Sequence, residues 1–172
     1  MGNTIGLKRN TVKILQHQDV WHSNFEKEKK LLLSIKNKHI KGIEHTGSTS
    51  IPNMPAKPII DIIFGIDNFY NAPKLIKNLS EIGYEFRREP RRFQWLFVKM
   101  SGGKDTHYLK IIRHKGNYWN EYINFKKILM HNKEAFKKYK NLKLDLEKKY
   151  SNNRKEYTKN KNNLIQKLLL LV

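Results

Sequence analysis

The feature that most constrains the fold is an almost uninterrupted apolar run with one carboxylate inside it, IIDIIFGI at residues 59–66. The run is rich in β-branched isoleucine and is short, which favours a strand over a helix. A strand that is apolar on both faces belongs in the middle of a sheet, where both faces are covered. Side-chain alternation places Asp61 out of the main core. We therefore predict a central strand that carries one carboxylate.

Extended segments on both sides of this run predict a sheet of four or five strands. The sequence SGGKD at 101–105 is typical of a tight turn and joins two of them as a hairpin. The other predicted strands lie at 41–45, 84–87, 93–100 and 107–113.

Helical patterns precede and follow the sheet. Residues 17–38 are amphipathic, with apolar side chains such as Trp21 and Phe25 on one face and lysines opposite. A second helix is expected at about 70–82, with Asp67 as its N-cap and Gly83 at its end. From residue 117 the chain is lysine-rich and predicts three helices. Their breaks lie at Asn132-Lys133 and Asn152-Asn153.

This order of elements predicts an α+β fold in one domain. The chain has 172 residues, enough for one hydrophobic core. We expect residues 1–116 to form a helix and a sheet core, with residues 117–172 as a helical tail packed on it. The apolar run LLLLV at 168–172 is too short for stable membrane insertion and is expected to dock on its own core or on a homodimer partner.

Composition narrows the chemistry. The chain contains no cysteine, which excludes disulfides, thiolate metal sites and a cysteine nucleophile, and which fits a cytoplasmic location. Its net charge is +20. This charge favours a polyanionic partner such as nucleic acid, a nucleotide or an acidic membrane surface. The excess of lysine over arginine fits equally well with drift in an AT-rich genome, so the charge alone leaves both explanations open.

The stretch IEHTGSTSIPNMPAKPIIDII at 43–63 concentrates the reactive side chains. Its turn offers amide N–H groups and hydroxyls to an anion; these belong to Gly47, Ser48, Thr49 and Ser50. Lys57 precedes a proline and is held extended, pointing toward the start of the strand. A carboxylate at Asp61 beside such a turn suggests a divalent cation between them. The alternative is a structural Ser/Thr turn and an aspartate that caps nearby backbone.

Two further groups have alternative interpretations. His45, beside the turn, is a candidate general base or metal ligand, or a strand-end histidine hydrogen-bonded to the turn. The chain's arginine cluster could bind the anionic part of a substrate, or it could be a solvated hairpin. It comprises Arg87, Arg88, Arg91 and Arg92.

The interval from the Gly-Ser turn to Asp61 resembles that of the nucleotidyltransferase (polymerase-β-like) superfamily. More closely, EHTGSTSIPNMPAKPIIDI resembles the signature of the GrpB family. The resemblance continues in order along the chain through IGYEFRRE at 82–89, THYLKII at 106–112 and EYTKNK at 156–161. It implies a nucleotidyltransferase-like mixed sheet with an N-terminal helix and a C-terminal helical segment.

The resemblance also implies site residues, with departures. The superfamily's second carboxylate on the central strand is replaced by Ile63. The family tends to have two histidines in the segment that corresponds to THYLKII. Here the first is His107, and the position of the second is occupied by Lys110. The implied cofactor is Mg²⁺ or Mn²⁺ held by Asp61 and His107, with Lys110 either touching a phosphate or repelling the cation. Family position also implies pocket roles for Lys143 and Lys161.

The implied function is a metal-dependent nucleotidyltransferase. A nucleoside triphosphate would place its phosphates on the 47–50 turn and Lys57, and Asp61, His107 and His45 would be catalytic. The acceptor is a small molecule, a protein or an RNA. The alternative, motivated by Ile63 and Lys110, is a non-catalytic nucleotide- or RNA-binding module of the same fold.

Overall fold

A computed structural model describes residues 5–170, and its centre is a six-stranded mixed sheet. The strands are β1 (Leu7–Lys8), β2 (Ile40–Thr46), β3 (Ile60–Ile66), β4 (Tyr84–Arg91), β5 (Gln94–Ser101) and β6 (Lys104–Arg113). The order is β2-β3-β6-β5-β4, and β1 pairs with the start of β6. Only the β3–β6 pair is parallel among the described pairs. The predicted α+β class and mixed sheet are confirmed, with β3 in the interior as the apolar run indicates.

Five α-helices accompany the sheet in the described part of the chain. They are α1 (Val20–Leu33), α2 (Ile76–Glu81), α3 (Asn117–His131), α4 (Lys133–Lys149) and α5 (Arg154–Leu169). The predicted asparagine breaks are helix caps, because Asn132 accepts a hydrogen bond from the Ala135 amide and Asn153 from the Glu156 amide.

The predicted helix at 70–82 is only partly correct. Its first half, Phe69–Leu75, is a 3-10 helix with Pro73 inside it, and the α-helical part begins at Ile76. Proline supplies no N–H for the α-helical ladder, which explains the different geometry there. The cap is Asn68, whose side chain accepts from the Tyr70 amide, rather than Asp67. Gly83, with φ +90°, follows the end of this helix as predicted.

The two faces of the sheet are covered by different helices. One face packs on α1, with Trp21, Phe25 and Leu32 against the even-numbered side chains of β3 from Ile60 to Ile66. We call it the α1 face. The opposite face carries Asp61, Ile63 and Gly65 and lies under α3; we call it the α3 face. Gly65 is needed there, since a Cβ at this position would lie 2.6 Å from the Trp119 ring.

Helices α3, α4 and α5 pack on one another beside the α3 face. Ile51 and Met54, from the segment before β3, join their apolar cluster with Leu129, Tyr139 and Leu168. The C-terminal run therefore docks partly on its own molecule through Leu168, whereas Leu170 is exposed; residues 171 and 172 lie outside the described part. None of the helices between residues 5 and 170 is long and apolar enough to cross a membrane.

Candidate functional site

A cavity of about 910 Å³ lies between the α3 face of the sheet and helices α3–α5, and we call it the basic cavity. Twelve lysine and arginine side chains line it, against only three carboxylates. Each carboxylate is already paired with a cation from the wall. Asp61 bonds Lys110 at 2.8 Å, Asp105 bonds Arg154 at 2.9 Å, and Glu121 bonds Arg91 at 2.9 Å. The wall therefore keeps a large excess of positive charge, which favours an anionic ligand.

Asp61 reaches the cavity because of its position on β3. Alternation places its side chain on the α3 face. In the parallel register Asp61 is directly opposite Tyr108 of β6. Lys110, two residues further along β6, therefore lies on the same face. Burial favours the neutral carboxyl, but the charge and hydrogen bond of Lys110, with the charges of Lys57 and Lys161, outweigh burial and lower the pKa of Asp61. Asp61 is consequently ionised and paired with Lys110 of its own chain.

The 47–50 turn packs directly on this aspartate. Gly47 has φ +67°, and a Cβ there would lie 2.6 Å from Asp61 Oδ2, so both the backbone angle and the close approach require glycine. Gly47, Ser48 and Thr49 line the basic cavity. Ser50 does not: its hydroxyl donates to the Gly47 carbonyl at 2.8 Å, and it borders a smaller cavity near α1.

Four predicted lysines converge on the cavity, and we call them the lysine subsite: Lys57, Lys110, Lys143 and Lys161. Lys143 is almost fully buried and donates to the Pro55 carbonyl. The ammonium groups of Lys57 and Lys161 lie over the same Tyr157 ring, 5.2 and 4.9 Å from its centroid. The subsite thus gathers cations from a loop, a strand and two helices.

Burial, together with neighbouring positive charges, lowers the pKa of two of these lysines, Lys57 and Lys143, whereas the pKa values of Lys110 and Lys161 are raised. Burial, followed by the charges of Lys161 and Arg154, lowers the pKa of Lys57 to about 7. Burial and the charges of Lys161 and Lys57 likewise lower the pKa of Lys143 well below its ordinary value. An anion placed among these groups would restore their protons and relieve their repulsion.

The two predicted histidines lie elsewhere, which corrects the expected metal site. His45 is opposite Ile62 and His107 is opposite Ile60, so both point to the α1 face, away from Asp61. The prediction that Asp61 and His107 share a cation is therefore wrong in its geometry. His107 is opposite Ile60, the residue before Asp61, so the side chains of His107 and Asp61 lie on opposite faces of the sheet.

Both histidines instead have local structural partners. His45 stacks on Phe25 at 4.7 Å and its Nε2 lies 2.9 Å from Thr49 Oγ1, which matches the alternative interpretation of a strand-end histidine bonded to the turn. His107 lies 3.8 Å from Glu28 and beside Thr106. Burial lowers the pKa of His45 to about 3 and that of His107 to about 4, so both are neutral at pH 7.

The residues of the cavity do not fit Mg²⁺ or Mn²⁺ held by the protein. Hard cations need several oxygen ligands, and the position next in line on β3 is the buried Ile63. Oδ1 of Asp61 already accepts from Lys110, and the next nearest charges are lysines. Within residues 5–170 no group of three or more His, Cys, Asp or Glu side chains could hold a metal ion.

Two tyrosines, Tyr139 and Tyr157, line the cavity beside the lysines, and the sequence prediction assigned no role to either. Tyr139 and Lys143 are four residues apart on α4, and Tyr157 and Lys161 are four apart on α5, so each pair shares a helix face. Lys143 lies 5.3 Å from the centroid of the Tyr139 ring. The i, i+4 spacing of an aromatic residue and a lysine on consecutive helices is the signal that could have found them.

The fold and the cavity define an α+β protein with a mixed sheet and a cavity lined by cations between the sheet and helices α3–α5. The sequence profile described as GrpB protein matches residues 11–170, and the chain belongs to the GrpB family. It is similar to "Glutamate-rich protein GrpB" of Alkalihalophilus pseudofirmus, with 32% identity over 170 residues, covering 96% of this chain and 98% of that protein. Glutamate richness does not extend to this chain, in which Asp and Glu together number 15.

A solved structure of a GrpB protein has a similar fold. The crystal structure of the conserved protein GrpB from Enterococcus faecalis superimposes with a TM-score of 0.81 at 26% identity, covering 91% of this chain and 97% of that one. A weaker likeness, with a TM-score of 0.46 and 11% identity, is to the Cid1 poly(U) polymerase and covers 76% of this chain and 45% of that one.

Proposed function

We propose that the basic cavity binds the triphosphate of a nucleoside triphosphate, in a nucleotidyltransferase-like site that supplies its own cations. The observation that supports this proposal most directly is the lysine subsite, where four lysine side chains converge on a cavity whose Asp61 carboxylate is already paired with Lys110. A triphosphate offers several anionic oxygens at close spacing, which suits clustered lysines better than a single charge does.

The size and the lining of the cavity support a nucleoside on that triphosphate. Its volume of about 910 Å³ is at the upper end of small-molecule pockets, larger than inorganic phosphate needs. Phe125 and Tyr139 are wall residues whose rings pack edge to face at 5.2 Å. Aromatic wall residues next to clustered cations are suited to a ligand that is flat at one end and anionic at the other.

Nucleotidyl transfer is the second candidate function, and the contact between Gly47 and Asp61 favours it. Oδ1 of Asp61 is held by Lys110, whereas Oδ2 lies beside the turn and accepts no hydrogen bond from the described residues. In this reaction an acceptor hydroxyl oxygen forms a bond to the α-phosphorus, and the bond from that phosphorus to the oxygen bridging to the β-phosphate breaks. Pyrophosphate leaves with that oxygen, and the proton of the acceptor hydroxyl passes to water. Lysine charges would offset the charge that develops on the leaving group.

Thermal melting tests the binding proposal. The melting temperature is measured with ATP, GTP, CTP and UTP, each with Mg²⁺, with Mn²⁺ and with EDTA. A nucleotide at 100 times its Kd adds roughly 2.7 kcal/mol, a rise on the order of 5–10 °C for a chain of this size. We expect a rise that survives EDTA and is lost in the Lys57→Gln, Lys161→Gln double variant. Lys137→Gln, an exposed lysine on α4, is the matched control.

The outcomes separate the two candidates. Absence of any shift in a sample that melts cooperatively contradicts the binding proposal. A shift that needs Mg²⁺ or Mn²⁺ and disappears in Asp61→Asn would instead support an ion carried in by the nucleotide and favour transfer. Pyrophosphate release in the presence of small-molecule, peptide or RNA acceptors then tests the transfer reaction, and release that persists in Asp61→Asn rules out a catalytic role for this residue.

A further inference from the structure

The basic cavity extends beyond the lysine subsite to two arginines on the edge strand β4. Arg87 and Arg88 line it. Arg88 is opposite Leu96, which is opposite Lys110, so all three lie in one row across the α3 face. Three strand spacings separate β4 from β3 in the sheet order. The arginines therefore lie roughly 14 Å across the sheet from Asp61.

The side chains of these two arginines do not alternate between the faces of the sheet as they would in a regular strand. The pairing of β4 with β5 shifts register between Phe86 and Arg88, which leaves Arg87 as the extra residue of a bulge. Bulges redirect side chains and are common beside binding sites. The bulge therefore allows Arg87 and its neighbour Arg88 to line the same cavity.

One guanidinium N–H group, on Arg87, is unsatisfied within the described part of the chain, whereas Arg88 is exposed to solvent. Nη2 of Arg87 is buried and has no hydrogen-bond partner. Neither Arg87 nor Arg88 forms an ion pair with a carboxylate between residues 5 and 170. Arg91, by contrast, is held by both oxygens of Glu121 and by Gln94. A buried guanidinium N–H without an acceptor is costly, so it marks a place where a ligand can supply one.

We propose that Arg87 and Arg88 form a second anion subsite, the arginine subsite, which binds a phosphate monoester of a second molecule while the lysine subsite holds the triphosphate. This inference rests on the proposed function. Two guanidinium forks offer parallel N–H donors, which match the oxygens of a phosphate monoester. The arginines project from β4, three strand spacings from Asp61, so they can hold a phosphate group separate from a triphosphate on the lysine subsite. The arginine subsite thus lies where a phosphorylated acceptor would be held.

Calorimetric titration with two simple probes tests this proposal. Inorganic tripolyphosphate is bound first to saturate the lysine subsite, and ribose 5-phosphate is then titrated in. We expect ribose 5-phosphate to bind the saturated protein, and the Arg87→Gln, Arg88→Gln double variant to weaken it by roughly tenfold or more. Tripolyphosphate affinity should change less than about threefold in the same variant, since only charges across the sheet are removed. Ribose without the phosphate should not bind.

The matched control is Arg92→Gln, because Arg92 belongs to the same hairpin and does not line the cavity. Ribose 5-phosphate affinity that is equal in the wild type and the double variant overturns the arginine subsite. Competition between the two probes for one site overturns it as well.

Failure of the proposed function has a different signature, which is the absence of tripolyphosphate binding to the wild-type protein. In that case ribose 5-phosphate is titrated alone. Weaker binding to the double variant than to the wild type and Arg92→Gln then still supports the arginine subsite, and unchanged or undetectable binding overturns it.

Discussion

At the scale of single residues, one ion pair decides what the site can accept. The Lys110 ammonium is 2.8 Å from Asp61 Oδ1 and offsets the charge of this carboxylate. Both side chains are mostly buried, with 17% and 29% of their surface exposed. Each partner therefore depends on the other for its charge, and removing one leaves a poorly solvated ion behind.

A double-mutant cycle measures this dependence. Lys110→Met should lower the free energy of unfolding by about 1–3 kcal/mol, because Asp61 loses its partner. Asp61→Asn combined with Lys110→Met should cost less than the sum of the single changes, since the double variant leaves no unpaired charge. Urea denaturation at pH 7 gives all four values. Strictly additive costs would show that the pair contributes nothing as a pair.

The pH dependence of that pair has a fixed sign. The pKa of Asp61 is lower in the folded protein than in the unfolded chain, so the stabilisation is present above the unfolded pKa and is lost as the pH falls through the folded pKa. The wild-type and Lys110→Met proteins should therefore differ less in stability at acid pH than at neutral pH.

At the scale of elements, the turn between β2 and β3 shapes the site. Gly47→Ala places a methyl group at φ +67° and 2.6 Å from Asp61 Oδ2. Gly102→Ala is the matched control, because Gly102 has φ +54° and nothing within 4 Å. The control should lose roughly 1 kcal/mol of stability from backbone strain alone. Gly47→Ala should lose more, and it should also weaken nucleotide binding, as thermal melting would show; equal losses would mean that the contact with Asp61 is unimportant.

The strands and helices were predictable from the sequence, whereas the face of the sheet on which each side chain lies was not. The apolar run at 59–66, interrupted only by Asp61 and Gly65, identified β3. The glycines at 102–103 identified the hairpin and the asparagines at 132 and 153 the helix breaks, because each signal is local. The face on which His107 lies is not local. It depends on the pairing of β6 with β3, residues that are 47 positions apart, and a shift of one residue reverses it. Accordingly, the predicted lysines line one cavity, whereas the predicted histidines lie on the opposite face of the sheet.

The same reason explains the arginine and tyrosine contributions to the cavity. Arg87 is exceptional only because β4 bulges against β5, and Tyr157 lies in the site only because α5 folds back over β6. Arg154, the first residue of α5, anchors that return by binding Asp105 and the Thr11 carbonyl. From composition alone, these residues cannot be distinguished from the other basic and aromatic residues of the chain.

At the scale of the whole molecule, the charge of +20 has two separable parts. Most lysines are exposed and screened by salt, so they contribute to steering rather than to selection. The lysine subsite is different, because its members lie close together in a partly buried cavity, where burial and neighbouring positive charges lower the pKa of Lys57 and Lys143. A polyanion bound there should consequently be coupled to proton uptake, whereas one bound to the exposed surface should not.

This coupling gives a prediction with a definite direction. Lys57 has a pKa of about 7 in the free protein, and a bound triphosphate would raise it. Tripolyphosphate affinity should therefore fall as the pH rises from about 6 to 9, with net proton uptake per bound ligand near pH 8. Calorimetry in buffers of different ionisation enthalpy measures that uptake directly.

The unliganded protein should respond to pH in the opposite direction. Between pH 7 and 10.5 the unfolded chain keeps a proton on Lys57 that the folded protein has released, so the free energy of unfolding gains a contribution that rises with pH. Lys57→Gln should flatten both dependences, whereas Lys137→Gln on the exposed face of α4 should leave both unchanged. Affinity that is independent of pH but falls steeply with salt would place the polyanion on the exposed surface instead of in the cavity.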